Sequence, residues 1–227
     1  MNAKGAEPIG QAVPKLGILT GLVVEAELAR QLGFVVSGGG TTEGARKAAL
    51  HLVKHGARAL LSFGFAGGLD PTLRPGDVLV PRLVLGADRE FSADPNLLEW
   101  LGGANVARLL GDGNVVADAA QKRKLWQQTG AAAIDLESGA LAEVAAQHSL
   151  PFAVLRAVCD PAERSLPPVA LTALGEKGEI DIVRLISGLF RKPSQLPALV
   201  ALARDAQAAR RALIGGVREL RLRPLIL

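Results

Sequence analysis

Five short stretches combine acidic residues and glycines in ways that chemistry could use. They are Glu25 after an apolar run, "SGGGT" at 37–41, "GFAGG" at 64–68, "IDLESGA" at 134–140 and "RAVCDPAE" at 156–163. Asp160 closes an apolar run and precedes Pro161, which helps end a strand there and leaves the carboxylate at its mouth. A carboxylic acid in apolar surroundings has a raised pKa and can give up a proton near neutral pH. A strand-end carboxylate also serves as a helix cap, so Asp160 alone decides nothing. Glu137 stands at the equivalent end of the preceding run, at a helix start, and two acids so placed converge on one crevice.

The triple glycine Gly38, Gly39 and Gly40 permits close backbone approach, and the helix N-terminus expected behind it favours an anion or a sugar hydroxyl. A tight strand-to-helix turn explains the same glycines. Glu43 stands where the third glycine of G-x-G-x-x-G belongs, and no Gly-Lys-Ser/Thr follows. A dinucleotide-dependent oxidoreductase and a P-loop enzyme are thereby disfavoured.

The elements that must hold these residues follow from periodicity. "KLGILTG", "GFVVSG", "ARALLSFG", "GDVLVPRLVLG", "AAAID" and "PFAVLRAVCD" read as strands, mostly continuous and apolar, which predicts burial on both faces. Thr41–His55, Ala119–Gln128 and Ser138–His148 read as helices, each preceded by glycine or a capping-type residue. After Asp160 come a Pro-marked loop, helical segments broken at Pro193 and Pro197, and an amphipathic run from about Leu199 to Leu213. The expectation is an α/β fold of three layers: a central mixed, mainly parallel sheet flanked by helices. In such a sheet, ligands bind beyond the carboxyl ends of the strands, where the five stretches fall.

Composition sets the outer bounds. The chain has 227 residues, 49% hydrophobic but only 4% aromatic, with no Tyr, so its core must be aliphatic. One domain spanning 1–227 is expected, with 1–14 flexible and 182–227 a basic helical extension of the same domain. A lone cysteine, Cys159, precludes an intrachain disulfide and a Cys-based zinc cluster. With no signal-like or membrane-spanning run, a cytoplasmic protein is expected. From Ile182 onward, nine Arg/Lys face two acids, giving +7; the whole chain is +4, so residues 1–181 carry −3. The basic character therefore belongs to the tail. That tail lacks the interleaved aromatics of a single-strand binder and any DNA-binding motif, so nucleic acid is not an expected partner. A solvated helix face explains the charge, and contact with an anionic membrane surface is a second reading.

"GFAGGL" followed by "RPGDVLVP", then "IDLESGALAEVAAQHSLPFAVLRAVCDPAE", resembles the nucleoside phosphorylase and nucleosidase superfamily over roughly residues 16–165. The resemblance implies cleavage of the bond between a base and a ribose. It gives Asp160 the role of general acid at purine N7 and Glu137 that of ribose ligand. Glu25, in "TGLVVEAEL", falls near the family's water-activating glutamate, one residue closer to Gly21 than is usual; an ordinary helix N-terminal glutamate is the alternative. Leu136, Gly40, Phe65, Ala66, Gly67, Asn114, Val115 and Cys159 are placed around the substrate. No cofactor is implied beyond inorganic phosphate as a co-substrate, and no metal. A homo-oligomer is expected.

Departures from the family pattern bear on the substrate. Cys159 replaces a serine beside the acid, Asn114 replaces the aromatic that stacks on the base, and Phe65 replaces a small serine. Ser62 stands where phosphorolytic members place an arginine for phosphate, which favours water. Arg46 near the glycine loop leaves phosphate open. "DPAERSLPPVALTAL" and "RKPSQLPALVALARDAQAA" resemble the hopanoid-associated phosphorylases, implying a lipid-linked adenine nucleoside, adenosylhopane, and peripheral membrane contact through the basic C-terminus. A methylthioadenosine-type nucleosidase explains the motifs without the tail. A nucleoside-binding sensor would explain Asn114 and Phe65, although the retained Glu137 and Asp160 argue against it.

Overall fold

The computed structural model describes residues 16–111, 115–168, 170 and 192–225. The segment 1–14, Asn114 and residues 182–191, on all of which expectations were placed, lie outside the described residues.

The apolar runs form the centre of the sheet. Strand β1 (Leu16–Thr20), β3 (Ala59–Gly68) and β9 (Phe152–Asp160) lie side by side and parallel, with Leu16 opposite Ala59 and Leu60 opposite Phe152. Their side chains alternate between two cores. Leu19, Leu60 and Val154 face one, where α2 (Thr42–Lys54) and α5 (Ser138–Gln147) contribute Leu52 and Leu141. Ile18, Leu61 and Leu155 face the other, closed by α3 (Pro95–Trp100) and α6 (Leu196–Leu220) through Trp100, Leu213 and Val217. Each fully buried aliphatic side chain contributes on the order of 2 kcal/mol, so these strands anchor whatever sits at their ends. The outcome is the expected layered α/β fold.

Strand β2 (Phe34–Ser37) departs from expectation. It is an edge strand paired only with β1 among the described residues, and Phe34 is 43% exposed rather than buried on both faces. The expected strand 76–86 divides into β4 (Val78–Leu79), antiparallel to β9, and β5 (Pro81–Leu85), which pairs with β6 (Glu90–Ser92) and with β7 (Val106–Leu110).

Strand β8 (Ala133–Ile134) runs parallel to β7 but antiparallel to the end of β3, with Gly67 opposite Ile134. Gly67 is also aligned with Asp160 across a register shift in β3. The tip of β3 thus lies between the two acid-bearing segments.

Helix α6 corrects two expectations. A 3-10 turn at Pro193–Gln195 leads into one continuous helix with Pro197 in its first turn, where the missing N–H has no intrahelical partner to lose. It then continues past Leu213, through Gly215 and Gly216, because Val217 and Leu220 still reach the core.

Candidate active site

The first cluster grows from the turn after β1 and the end of β3. Glu25 lies in α1 (Val23–Ala29) and is buried. One of its oxygens accepts from the backbone N–H groups of Gly21 (2.9 Å) and Leu22 (2.7 Å), and the other accepts from Phe65 N–H (2.7 Å). Gly64 makes the approach possible, since a Cβ there would lie 2.5 Å from the Glu25 carboxyl carbon. Burial pushes the Glu25 carboxyl up, against the downward pull of Arg156 and the three N–H donors.

Arg156, on β9, is the centre of this cluster and was not singled out from the sequence. It is 1% exposed. Its Nη2 lies 3.0 Å from Glu137 Oε2 and donates to Ser62 Oγ at 2.7 Å, while Nη1 donates to Phe65 O at 3.1 Å. Its Nε pairs with Asp135 Oδ2 at 2.8 Å as an ion pair without hydrogen-bond alignment. Asp135 Oδ1 accepts from the N–H groups of Glu137 (3.0 Å) and Ser138 (2.8 Å). Asp135 therefore satisfies the N-terminus of α5, and the Glu137 side chain is not spent as a cap.

Three carboxyl groups, Glu25, Asp135 and Glu137, share one guanidinium here. The imbalance shows in Glu137, whose pKa is pushed up to about 7, first by burial and then by its two acidic neighbours, against the pull of Arg156. A group half-protonated at neutral pH can accept from one hydroxyl and donate to another.

The second cluster surrounds Asp160. Its Oδ2 pairs with the ammonium of Lys122, from α4 (Ala119–Thr129), and its Oδ1 accepts from Cys159 Sγ at 3.3 Å. Asp160 is 6% exposed, and burial pushes its carboxyl up while Lys122 pulls it down. The surroundings of Asp160 are therefore not the purely apolar ones that the run before it led one to expect. The Cys159 thiol is pushed well up, chiefly by burial and then by Asp160, which keeps it a neutral donor rather than a thiolate.

The other expected residues that are described lie on β3, between β7 and α4, and at the glycine turn before α2. Phe65 and Gly67 are half-buried and Ala66 is buried, all on β3 between the two acids. Val115 is exposed. Gly39 and Gly40 have φ of +72° and +68°, the left-handed backbone that glycine allows, and Leu136 O accepts from Thr42 Oγ1 at 3.4 Å just beyond that turn. Arg46 does not face the glycine turn as a free cation. Its Nη2 binds Glu143 Oε2 at 2.6 Å and joins α2 to α5. A hollow of about 650 Å³ lined by Arg89, Phe91, Asp94, Ser149 and Phe152 contains none of the residues singled out above.

The model of the phosphorylase superfamily matches residues 15–97 and 106–182. A 5'-methylthioadenosine/S-adenosylhomocysteine nucleosidase from Staphylococcus epidermidis is 29% identical over 158 residues, covering 58% of this chain and 69% of the relative. Among solved structures, the 5'-methylthioadenosine/S-adenosylhomocysteine nucleosidase of Neisseria meningitidis in complex with methylthio-immucillin-A shares the fold, with a TM-score of 0.66 and 17% identity over 92% of this chain and 98% of that one. Futalosine hydrolase of Helicobacter pylori does so with a TM-score of 0.63 and 16% identity over 91% and 98%.

Proposed function

Because the chain belongs to the phosphorylase superfamily and is an enzyme that cleaves N-glycosidic bonds, we propose that it releases adenine from an adenine nucleoside with Asp160 as the acid. The observation that carries this is the pair of unequally charged clusters, one reaching Gly64 through Glu25 and the other reaching Gly67 through Asp160. As the bond breaks, positive charge builds on the sugar and negative charge on the base. The carboxyl-rich cluster suits the first, and a carboxyl group with a raised pKa suits the second. Glu137 holds ribose hydroxyls and Glu25 activates the nucleophile. Gly40 and Leu136 border the sugar, while Phe65, Ala66, Gly67, Val115 and Cys159 border the base.

Water is the nucleophile in this reading. Phosphate would need cationic or N–H donors, yet the Arg156 guanidinium is paired at every nitrogen and Arg46 is spent on Glu143. Thr41 Oγ1 also takes the N–H of Gly44 at the start of α2.

The finer reading is that the nucleoside is adenosylhopane, met at an anionic lipid surface. Its support is the resemblance of "RSLPPVALTAL" and "RKPSQLPALVALARDAQAA" to hopanoid-associated phosphorylases, together with α6. The outward stripe of that helix carries exposed Leu196 and Val200 and then Arg204, Arg211 and Arg218. Among the described residues no helix is long and apolar enough to cross a membrane. Methylthioadenosine is the second reading, favoured by the curated relative.

Incubation of the purified protein with adenosylhopane and with methylthioadenosine, each with and without phosphate, separates these readings. A free sugar in both buffers is expected. A sugar 1-phosphate overturns water as nucleophile, and turnover of methylthioadenosine alone overturns the lipid-linked substrate.

A further inference from the structure

Lys122 is wholly buried, and nothing in the scheme above uses it. Its ammonium binds Asp160 Oδ2 and donates to Pro161 O at 3.1 Å and Arg164 O at 3.2 Å. An ammonium has three N–H donors, so none is left for a ligand. All of its bonding capacity is aimed at Asp160 and at the backbone that follows it. A buried lysine is costly to charge, so a placement that saturates it on one carboxylate and two carbonyls is a specific one.

The surroundings show what the lysine holds. The turn after Asp160 is joined to the segment leading into α4 by Leu166 N–H to Ala117 O (2.8 Å) and by Ala119 N–H to Ser165 Oγ (3.0 Å). Arg164 in turn pairs with Asp205 on α6. With Oδ2 taken by Lys122, Oδ1 is the oxygen that Cys159 borders, and both oxygens lie against Gly67, where a Cβ would be 3.3 Å from Oδ1 and 3.4 Å from Oδ2.

We propose that Lys122 is a positioning residue acting through Asp160: it grips Oδ2, presents Oδ1 to the departing base, and neutralises the carboxylate left after proton delivery. This rests on the glycosidase reading above. In the step, the bond from the sugar to base N9 breaks with its electrons going to the base, and N7 takes the proton from Asp160. Water gives its proton to Glu25 and its hydroxide to the sugar; afterwards Glu25 releases that proton to solvent and Asp160 takes one up from it. The charged and titratable groups facing Asp160 are Lys122 from α4, Cys159 on β9 and Arg164 from the following turn. Burial alone would leave Asp160 a poor acid, and Lys122 is the main influence against it.

The test compares wild type, Lys122→Met and Lys122→Arg by 13C NMR titration of the Asp160 carboxyl carbon, assigned with Asp160→Asn, and by the pH profile of kcat/KM. In Lys122→Met the Asp160 titration and the basic limb should both move up by about one pH unit or more. The plateau kcat should fall roughly tenfold or more, with KM little changed. Lys122→Arg, which keeps the charge, should hold the wild-type titration. If the methionine variant does not fold, Lys122→Gln takes its place beside the arginine variant. An Asp160 titration unmoved on loss of the lysine charge, or moved equally by Lys122→Arg, overturns the proposal. The titration needs no turnover, so a wild type that releases no adenine would overturn the glycosidase reading while leaving the NMR result legible.

Discussion

In the cluster that reaches Gly64 a single buried arginine serves three carboxyl groups, while in the one that reaches Gly67 a single buried lysine serves one. With all three carboxyl groups ionised the first arrangement would carry more negative charge than its one cation balances, and burial pushes both Glu25 and Glu137 up, Glu137 to about 7. The second is balanced whenever Asp160 is ionised. Proximity to a cation thus has opposite uses in the two places. In the proposed reaction Arg156 would hold carboxyl groups beside a sugar that turns positive, and Lys122 would accommodate the one negative charge left when Asp160 has given its proton away.

The sharpest way to break this comparison is to remove the acid. Asp160→Asn should lower turnover by roughly 10²–10⁴-fold, measured as adenine release, while circular dichroism keeps its wild-type form. Lys122 retains two carbonyl acceptors in that variant. Arg156→Met should strike stability as well, because it leaves buried carboxyl groups without a partner. A loss of roughly 3–5 kcal/mol is expected in denaturant unfolding.

Glu137→Gln tests the imbalance itself. With the folded pKa raised above the ordinary carboxyl value, this group binds more protons folded than unfolded. Its cost to stability is absent below about pH 4.5. That cost grows as pH rises through 7 and is then constant. The glutamine variant should therefore lose less stability than wild type between these limits in thermal unfolding, while its turnover falls by about tenfold to a hundredfold as a ribose contact weakens. The smallest effect belongs outside both clusters. Arg46→Ala breaks a half-exposed ion pair with Glu143 and should cost at most about 1 kcal/mol. Adenine release should be unchanged with or without phosphate; a phosphate-dependent loss would place Arg46 at the nucleophile.

The acids were legible in the sequence and their cationic partners were not, for a physical reason. Asp160 and Glu137 stand at the ends of apolar runs, where a carboxylate is conspicuous. Arg156 left a signal that could have been used: an arginine inside "FAVLRAV" must be buried with the strand and so must be paired. Lys122 left none, because it lies in "QKRKLW", where three basic residues in a row read as a solvated helix face. The two-residue strand β8 is likewise too short to announce its direction, so the role of the β3 tip between the acids emerges only from the pairing. The parallel centre of the sheet was readable because continuous apolar runs have few other places to go, whereas β2, of the same composition, lies at the edge.

The central claim, that Asp160 delivers the proton as adenine leaves, is met most directly by the pH dependence of kcat/KM for adenine release, measured on wild type and Asp160→Asn side by side. The account predicts a wild-type basic limb that marks loss of the Asp160 proton and is absent from the asparagine variant. A limb that persists unchanged in Asp160→Asn, or a wild type that releases no adenine at any pH, would contradict it.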